Sequence, residues 1–155
     1  CMRWDNPIAW GESKDKMMAS QELTEWRASV KPTATMIRSI SGGNVDLSVA
    51  ADSMPGPFVF QVEVWEVAPK TRPQIMARFV EAEAILEDLG ARVEIYTEGA
   101  GGTGRVHYVL QYPSWTDMAK GFMAIGESEE WAAFVADNDP DLGTVVQSFN
   151  GVALR

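Results

Sequence analysis

The stretch FVFQVEVWEV, residues 58–67, decides the fold. It alternates and is rich in β-branched and aromatic residues, the pattern of a strand. Phe58, Phe60, Val62 and Val64 fall on one side, and Gln61, Glu63 and Trp65 on the other. Pro55-Gly56-Pro57 just before it cannot hold regular structure and marks a linker over 49–57. On the other flank the spacing predicts a helix over 71–89. Thr71 is its expected N-cap, and Pro73 sits in the first turn, where a missing N–H costs nothing. Ile75, Phe79, Ala82, Leu86 and Leu89 form one apolar stripe, and Gly90 supplies the stop.

The pattern continues. RVEIYTE, residues 92–98, alternates, with Val93, Ile95 and Thr97 on one side and Arg92, Glu94 and Tyr96 on the other. A glycine-rich turn over 99–104 leads to a strand over 105–112, which makes an antiparallel hairpin. A phosphate-binding loop is not expected there, because such a loop must open a helix and here a strand follows. A second helix is predicted over 114–125, with Ser114 and Asp117 as a capping box and Trp115, Met118, Phe122 and Ile125 as its buried stripe. Gly126 is expected to break it. Ser128 then caps a further turn or two over 129–137, with Trp131, Phe134 and Val135 inward. A last strand runs over 144–149. Strand, helix, strand, strand, helix, strand is an α+β, ferredoxin-like βαββαβ sandwich, complete over 58–155. Both helices on one face leave the other face of the antiparallel sheet bare, so two sheets are expected to meet.

The N-terminal part repeats the end of that module. WGESKDKMMASQELTEW, residues 10–26, aligns with WTDMAKGFMAIGESEEW, residues 115–131, and Met36–Gly42 follows in the order of Val145–Gly151. Residues 1–48 are therefore expected to be a partial ferredoxin-like repeat, a helix and a strand, in an apparently truncated tandem protein. The start Cys1-Met2-Arg3-Trp4 fits that expectation better than a mature lipoprotein, whose lipid-bearing cysteine would precede a flexible Ser/Gly/Asp tether. Trp10, Met17, Met18, Leu23, Trp26, Val30, Met36, Ile37 and Ile40 give this segment an apolar face. It is expected to dock on a sheet, with the strand near Met36–Ser41 extending one, in an assembly that is at least dimeric.

Phe58–Val67, the hairpin around 99–104, Tyr112-Pro113-Ser114-Trp115 and Glu127-Ser128-Glu129-Glu130-Trp131 together resemble the dimeric α+β barrel superfamily. The resemblance covers about 57–152 and is one of architecture. It implies a sandwich that assembles as an α+β barrel, in a homodimer or higher. That group includes cofactor-independent quinone-forming monooxygenases, haem-degrading enzymes, lactone isomerases and stress-induced proteins, so the fold does not settle the function.

Composition narrows the chemistry. The 155 residues carry 13 basic and 22 acidic side chains, a net charge of −9, which opposes nucleic acid and anionic membrane as partners. No stretch approaches a membrane span. The single cysteine, Cys1, and single histidine, His107, exclude a Cys/His metal site within one chain and imply no metal or other cofactor. A lone thiol fits a reducing compartment such as the cytoplasm. If the sheet face opposite the helices lines a barrel cleft, Gln61, Glu63, Trp65, Glu94, Tyr96, His107 and Gln111 face it. His107 and Glu63 are then the candidate catalytic pair, a proton shuttle. Gln61, Trp65, Glu94, Tyr96 and Gln111 would bind a small organic molecule, Trp65 and Tyr96 by stacking. The residues leave three readings open: a ligand-binding barrel protein, a cofactor-independent monooxygenase- or isomerase-like enzyme, or a structural oligomerisation module with no ligand.

Overall fold

The structure is a computed structural model that describes residues 12–13, 15–17, 19–29, 42–44, 57–99 and 102–153. The chain divides into two compact units, Cys1–Arg38 and Ser39–Arg155.

In the first unit, helical residues at 12–13, 15–17 and 19 precede helix α1, Gln21–Ser29. Ser20 opens α1, its Oγ accepting from the Leu23 N–H at 3.1 Å. Trp26 is 59% exposed, against the expectation that docking buries it. The reason is local. Leu23 and Trp26 are the apolar pair of an otherwise polar helix, QELTEWRAS, and two side chains do not make a stripe. Trp10, Met18, Val30 and the strand expected over Met36–Ser41 lie outside the described residues.

The second unit is one antiparallel sheet with helices against it. It contains β1 (Gly42–Asn44), β2 (Phe58–Glu66), α2 (Arg72–Asp88), β3 (Arg92–Glu98), β4 (Val106–Tyr112), α3 (Trp115–Glu127), α4 (Glu129–Ala136) and β5 (Thr144–Ala153). The strands lie side by side in the order β1-β3-β4-β2-β5. The four long strands with their two helical segments have the βαββαβ connectivity of a ferredoxin-like arrangement, and the sheet is open. The three-residue β1 extends it beyond β3, pairing Gly43 with Thr97.

Local signals explain the elements. Pro73 sits in the first turn of α2 and Gly90 follows its end at φ +94°, a conformation only glycine adopts at no cost. Thr71 does not cap α2 with its side chain. Its hydroxyl donates instead to the Leu142 carbonyl at 3.0 Å, tying the helix start to the turn before β5. Ser114 caps α3, accepting from the Asp117 N–H at 3.1 Å, and Ser128 caps α4, accepting from the Trp131 N–H at 3.1 Å. Gly126 does not break the helix as expected; α3 runs on to Glu127, and Ser128 makes the break. β5 is four residues longer than expected, because Phe60 lies across Gly151 and the ladder continues to Ala153.

The core lies between the sheet and the helices. Val59, Val93, Ile95, Val106, Tyr108, Leu110 and Tyr112 rise from the strands to meet Ile75, Phe79, Ala82 and Leu86 of α2 and Met118 of α3. α3 comes close to the sheet at Gly121, where an added Cβ would sit 2.5 Å from the Tyr112 ring. The other face carries a second apolar cluster, Val62, Val64 and Val109 with Phe60 and Tyr96 beside it.

Candidate functional site

Register corrects one part of the face assignment. Glu63 pairs with Tyr108 and Val64 with His107 across β2 and β4. Directly opposed residues share a face, so Glu63 lies on the same side as the core residue Tyr108, and His107 on the other. Gln61, Glu63 and Trp65 therefore point toward the helices, while Phe60, Val62 and Val64 occupy the face expected to carry them. The β3 and β4 faces are as expected: Val93 and Ile95 are in the core, and Glu94 and Tyr96 share the second face with His107, Val109 and Gln111. The structure thus separates the seven candidate residues into a set of three and a set of four. It does not bring His107 and Glu63 together.

The set of three lines a cavity of about 400 Å³ between the sheet and the helices. Gln61, Glu63 and Trp65 of β2 form part of its floor with Tyr108 and Leu110 of β4. Ile75 and Phe79 of α2, Phe122 and Ile125 of α3, and Trp131 and Phe134 of α4 supply its walls. The Phe79 ring stands between the Trp65 ring, 5.2 Å away between centroids, and the Tyr108 ring, 5.3 Å away. Trp131 and Phe134 stack at 5.3 Å.

Glu63 is the titratable group at the floor. Its Oε2 accepts from the Trp65 indole N–H at 3.3 Å and its Oε1 from the Gln61 amide at 3.4 Å, both long. Burial pushes its carboxyl above the ordinary range, and the indole bond offsets only part of that. Tyr108 is also pushed up, first by burial and then by the charges of Glu83, Glu63 and Glu87. A cavity with apolar walls, few convergent polar groups and a displaced carboxyl is the usual form of a small-molecule site.

The set of four is a different kind of place. The Tyr96 hydroxyl donates to the buried Glu94 carboxylate, and Arg92 Nη2 stands 3.7 Å from Glu94 Oε1. Gln111, also buried, lies opposite Arg92 on one neighbour and Phe60 on the other. His107 Nε2 lies 3.1 Å from Glu98 Oε1. Among the described residues no group of three or more His, Cys, Asp or Glu side chains is arranged to hold a metal, and no helix is long and apolar enough to cross a membrane.

Comparison with solved structures gives a consistent set of relatives in shape. A NIPSNAP domain protein from Burkholderia xenovorans is 12% identical, with a TM-score of 0.50 over 63% of this chain and 93% of its own. A NIPSNAP family protein of unknown function from Agrobacterium tumefaciens strain C58 is 18% identical, with a TM-score of 0.48 over 62% of this chain and 86% of its own. Both of these structural neighbours are described as NIPSNAP proteins. At such identity the likeness to the Burkholderia xenovorans protein is one of fold, and it supports the α+β architecture alone. No family model matches the chain, and no curated protein does.

The hairpin between β3 and β4 makes a pH prediction. Burial raises the Glu98 carboxyl. The Thr103 N–H at 2.6 Å, His107, the Thr103 hydroxyl at 2.9 Å and the Arg105 backbone outweigh this and hold it at about 2. A depressed carboxyl stabilises the folded hairpin above its unfolded value near 4.5, and that contribution is lost as pH falls toward 2. Hydrogen exchange at the Thr103 amide, corrected for its intrinsic rate, should lose protection over that window, and Glu98→Gln should remove the pH dependence. Protection unchanged between pH 5 and about 2 would refute the linkage.

Proposed function

We propose that the protein binds a small organic molecule in the cavity between the sheet and α2, α3 and α4. One observation carries this reading: a carboxyl, a carboxamide and an indole N–H converge at the floor of a largely aromatic and aliphatic hollow of about 400 Å³, with Arg78, Asn138 and Asp139 as its other polar lining. The sequence-based expectation of a ligand in a barrel cleft moves with Gln61, Glu63 and Trp65 to the helix side of the sheet. Trp65 and Trp131 both line the cavity and act as built-in reporters. A panel of neutral and charged two-ring compounds, titrated against tryptophan emission, should contain binders, and a crystal structure should show the bound compound against Glu63 and Phe79. A compound that binds only elsewhere, or no response across the panel, would refute the reading.

A second reading makes the same cavity an active site of cofactor-independent monooxygenase or isomerase type. It is supported by the upward displacement of Glu63, which moves its carboxyl in the direction of a group that exchanges protons with a bound molecule. His107, on the opposite face, has no part in that step.

The assembly belongs to the same proposal. β5 is a ten-residue edge strand with Val145, Val146, Phe149 and Val152 each 40–45% exposed. An edge of that length and character favours pairing with another chain, here a second copy closing an α+β barrel. The tandem-repeat reading is supported by the alignment of residues 10–26 with 115–131, both tryptophan pairs being 16 apart. Sedimentation velocity should give a homodimer or larger, and Phe149→Lys should shift it toward monomer. A monomer at all accessible concentrations would return the β5 edge to an unpaired strand. An oligomer in which Glu63→Ala and ligand screening have no effect would favour the purely structural alternative.

A further inference from the structure

Resting on the reading of the cavity as a ligand site, we propose that its ligand is a hydrophobic organic ammonium ion: an amine on a flat apolar body. The argument is about which charge the cavity lacks. Glu63 and Asp139 are the anionic side chains that line it, and Arg78 is the cation. Arg78 is already engaged. Its Nη1 lies 2.7 Å from Glu81 and 3.7 Å from Asp137, its Nη2 donates to the Phe134 carbonyl at 2.8 Å, and its guanidinium lies 4.1 Å over the Phe134 ring. Asp139 accepts from the Asp141 N–H at 2.9 Å. Among the described residues Glu63 receives two long bonds from neutral donors, one to each oxygen, and no cation, which leaves lone pairs free on a half-buried carboxylate.

The surroundings of Glu63 add to this. Glu63 lies opposite Tyr108 across β2 and β4, so its carboxylate and the Tyr108 ring share the floor. The rings of Trp65, Phe79, Tyr108 and Trp131 line the hollow, and aromatic rings offer a cation their electron-rich π faces. A carboxylate set among aromatic rings attracts an organic cation through both ion pairing and cation–π contact, and the apolar walls reward a hydrophobic body. A carboxylate ligand would instead meet Glu63 and Asp139. The buried Nε of Arg78, which has no acceptor among the described residues, is the charged donor that would favour it.

Three near-isosteric probes separate the possibilities: naphthylmethylamine as its ammonium ion, naphthylmethanol, and naphthoate, titrated calorimetrically into the full chain near neutral pH. The ammonium ion should bind about tenfold more tightly than the alcohol, a difference that one modest charge interaction supplies. Naphthoate should bind most weakly. Glu63→Gln should retain alcohol binding and bring the two affinities to within about twofold. Should that variant not fold, the wild-type series decides alone. Alcohol binding equal to or tighter than ammonium binding, or naphthoate binding best, overturns the ammonium inference while the cavity remains a ligand site. No binding by any of the three, together with a negative wider panel, overturns the cavity reading and this inference with it.

Discussion

A Phe79→Ala variant is expected to lose about 3–5 kcal/mol of folding stability, the range for truncating a buried aromatic. Phe79 is 7% exposed, and its ring stands between Trp65 on β2 and Tyr108 on β4. Those two side chains sit on paired strands and cannot follow the retreating helix side chain, so the space left behind stays open and the lost contacts are not remade. The Tyr108 hydroxyl bonds to the Phe79 backbone carbonyl at 3.3 Å, a contact that survives the substitution. The loss therefore measures packing alone. Against a total of about 5–15 kcal/mol for a typical domain, it is a large fraction. Phe79→Leu, which keeps most of the volume, should cost less than about 1.5 kcal/mol. Urea denaturation of the three proteins checks this, read from the midpoint at constant slope. A Phe79→Ala loss below about 1 kcal/mol would mean that the aromatic group is not part of the core.

The helices and the hairpin were legible because their signals are local. The Ile75–Phe79–Ala82–Leu86 spacing, Pro73 and Gly90 each act within a few residues, and all three survive in α2. The faces of β3 and β4 were legible for the same reason: one short turn joins the two strands, and their alternation is strict. β2 was not. Its alternation gives two faces but not which one meets the helices, and apolarity alone points to the set Phe58, Phe60, Val62 and Val64 as the core face. What decides is the pairing of Glu63 with Tyr108, a contact between residues distant in sequence that no local rule sets. The consequence for the site is large. Glu63, expected beside His107, sits among Phe79, Tyr108 and Leu110, and the residues that wall it in, Phe122, Trp131 and Phe134, were legible only as buried helix stripes. The apolar cluster of Val62, Val64 and Val109 on the second face follows from the same inversion.

Glu63 should prove to be a residue that the fold would be more stable without. Glu63→Leu replaces a carboxyl held by two long hydrogen bonds with an apolar side chain of similar size in apolar surroundings. Relieving an incompletely compensated polar group is worth about 1–3 kcal/mol at full burial, and Glu63 is half-buried. Two terms trim that gain: the Trp65 indole loses its acceptor, and water reaching the carboxyl through the cavity mouth already screens part of its charge. A net gain of about 1 kcal/mol near neutral pH is expected. The pH dependence fixes its origin. The folded-state carboxyl is raised above its usual 4.5. Between 4.5 and that higher value the unfolded chain has lost a proton that the folded chain keeps, so wild-type stability falls as pH rises through the window. The leucine variant lacks this term. Its advantage should be smallest below pH 4.5, where both states of the wild type are protonated, and reach its full size above the raised value. The same variant should lose the ammonium preference of the cavity, pairing a gain in stability with a loss of binding, as a side chain retained for function does. Denaturant titrations of both proteins from acid to neutral pH decide the matter. A variant less stable than wild type at every pH would make Glu63 a structural support and remove the central group from the proposed site.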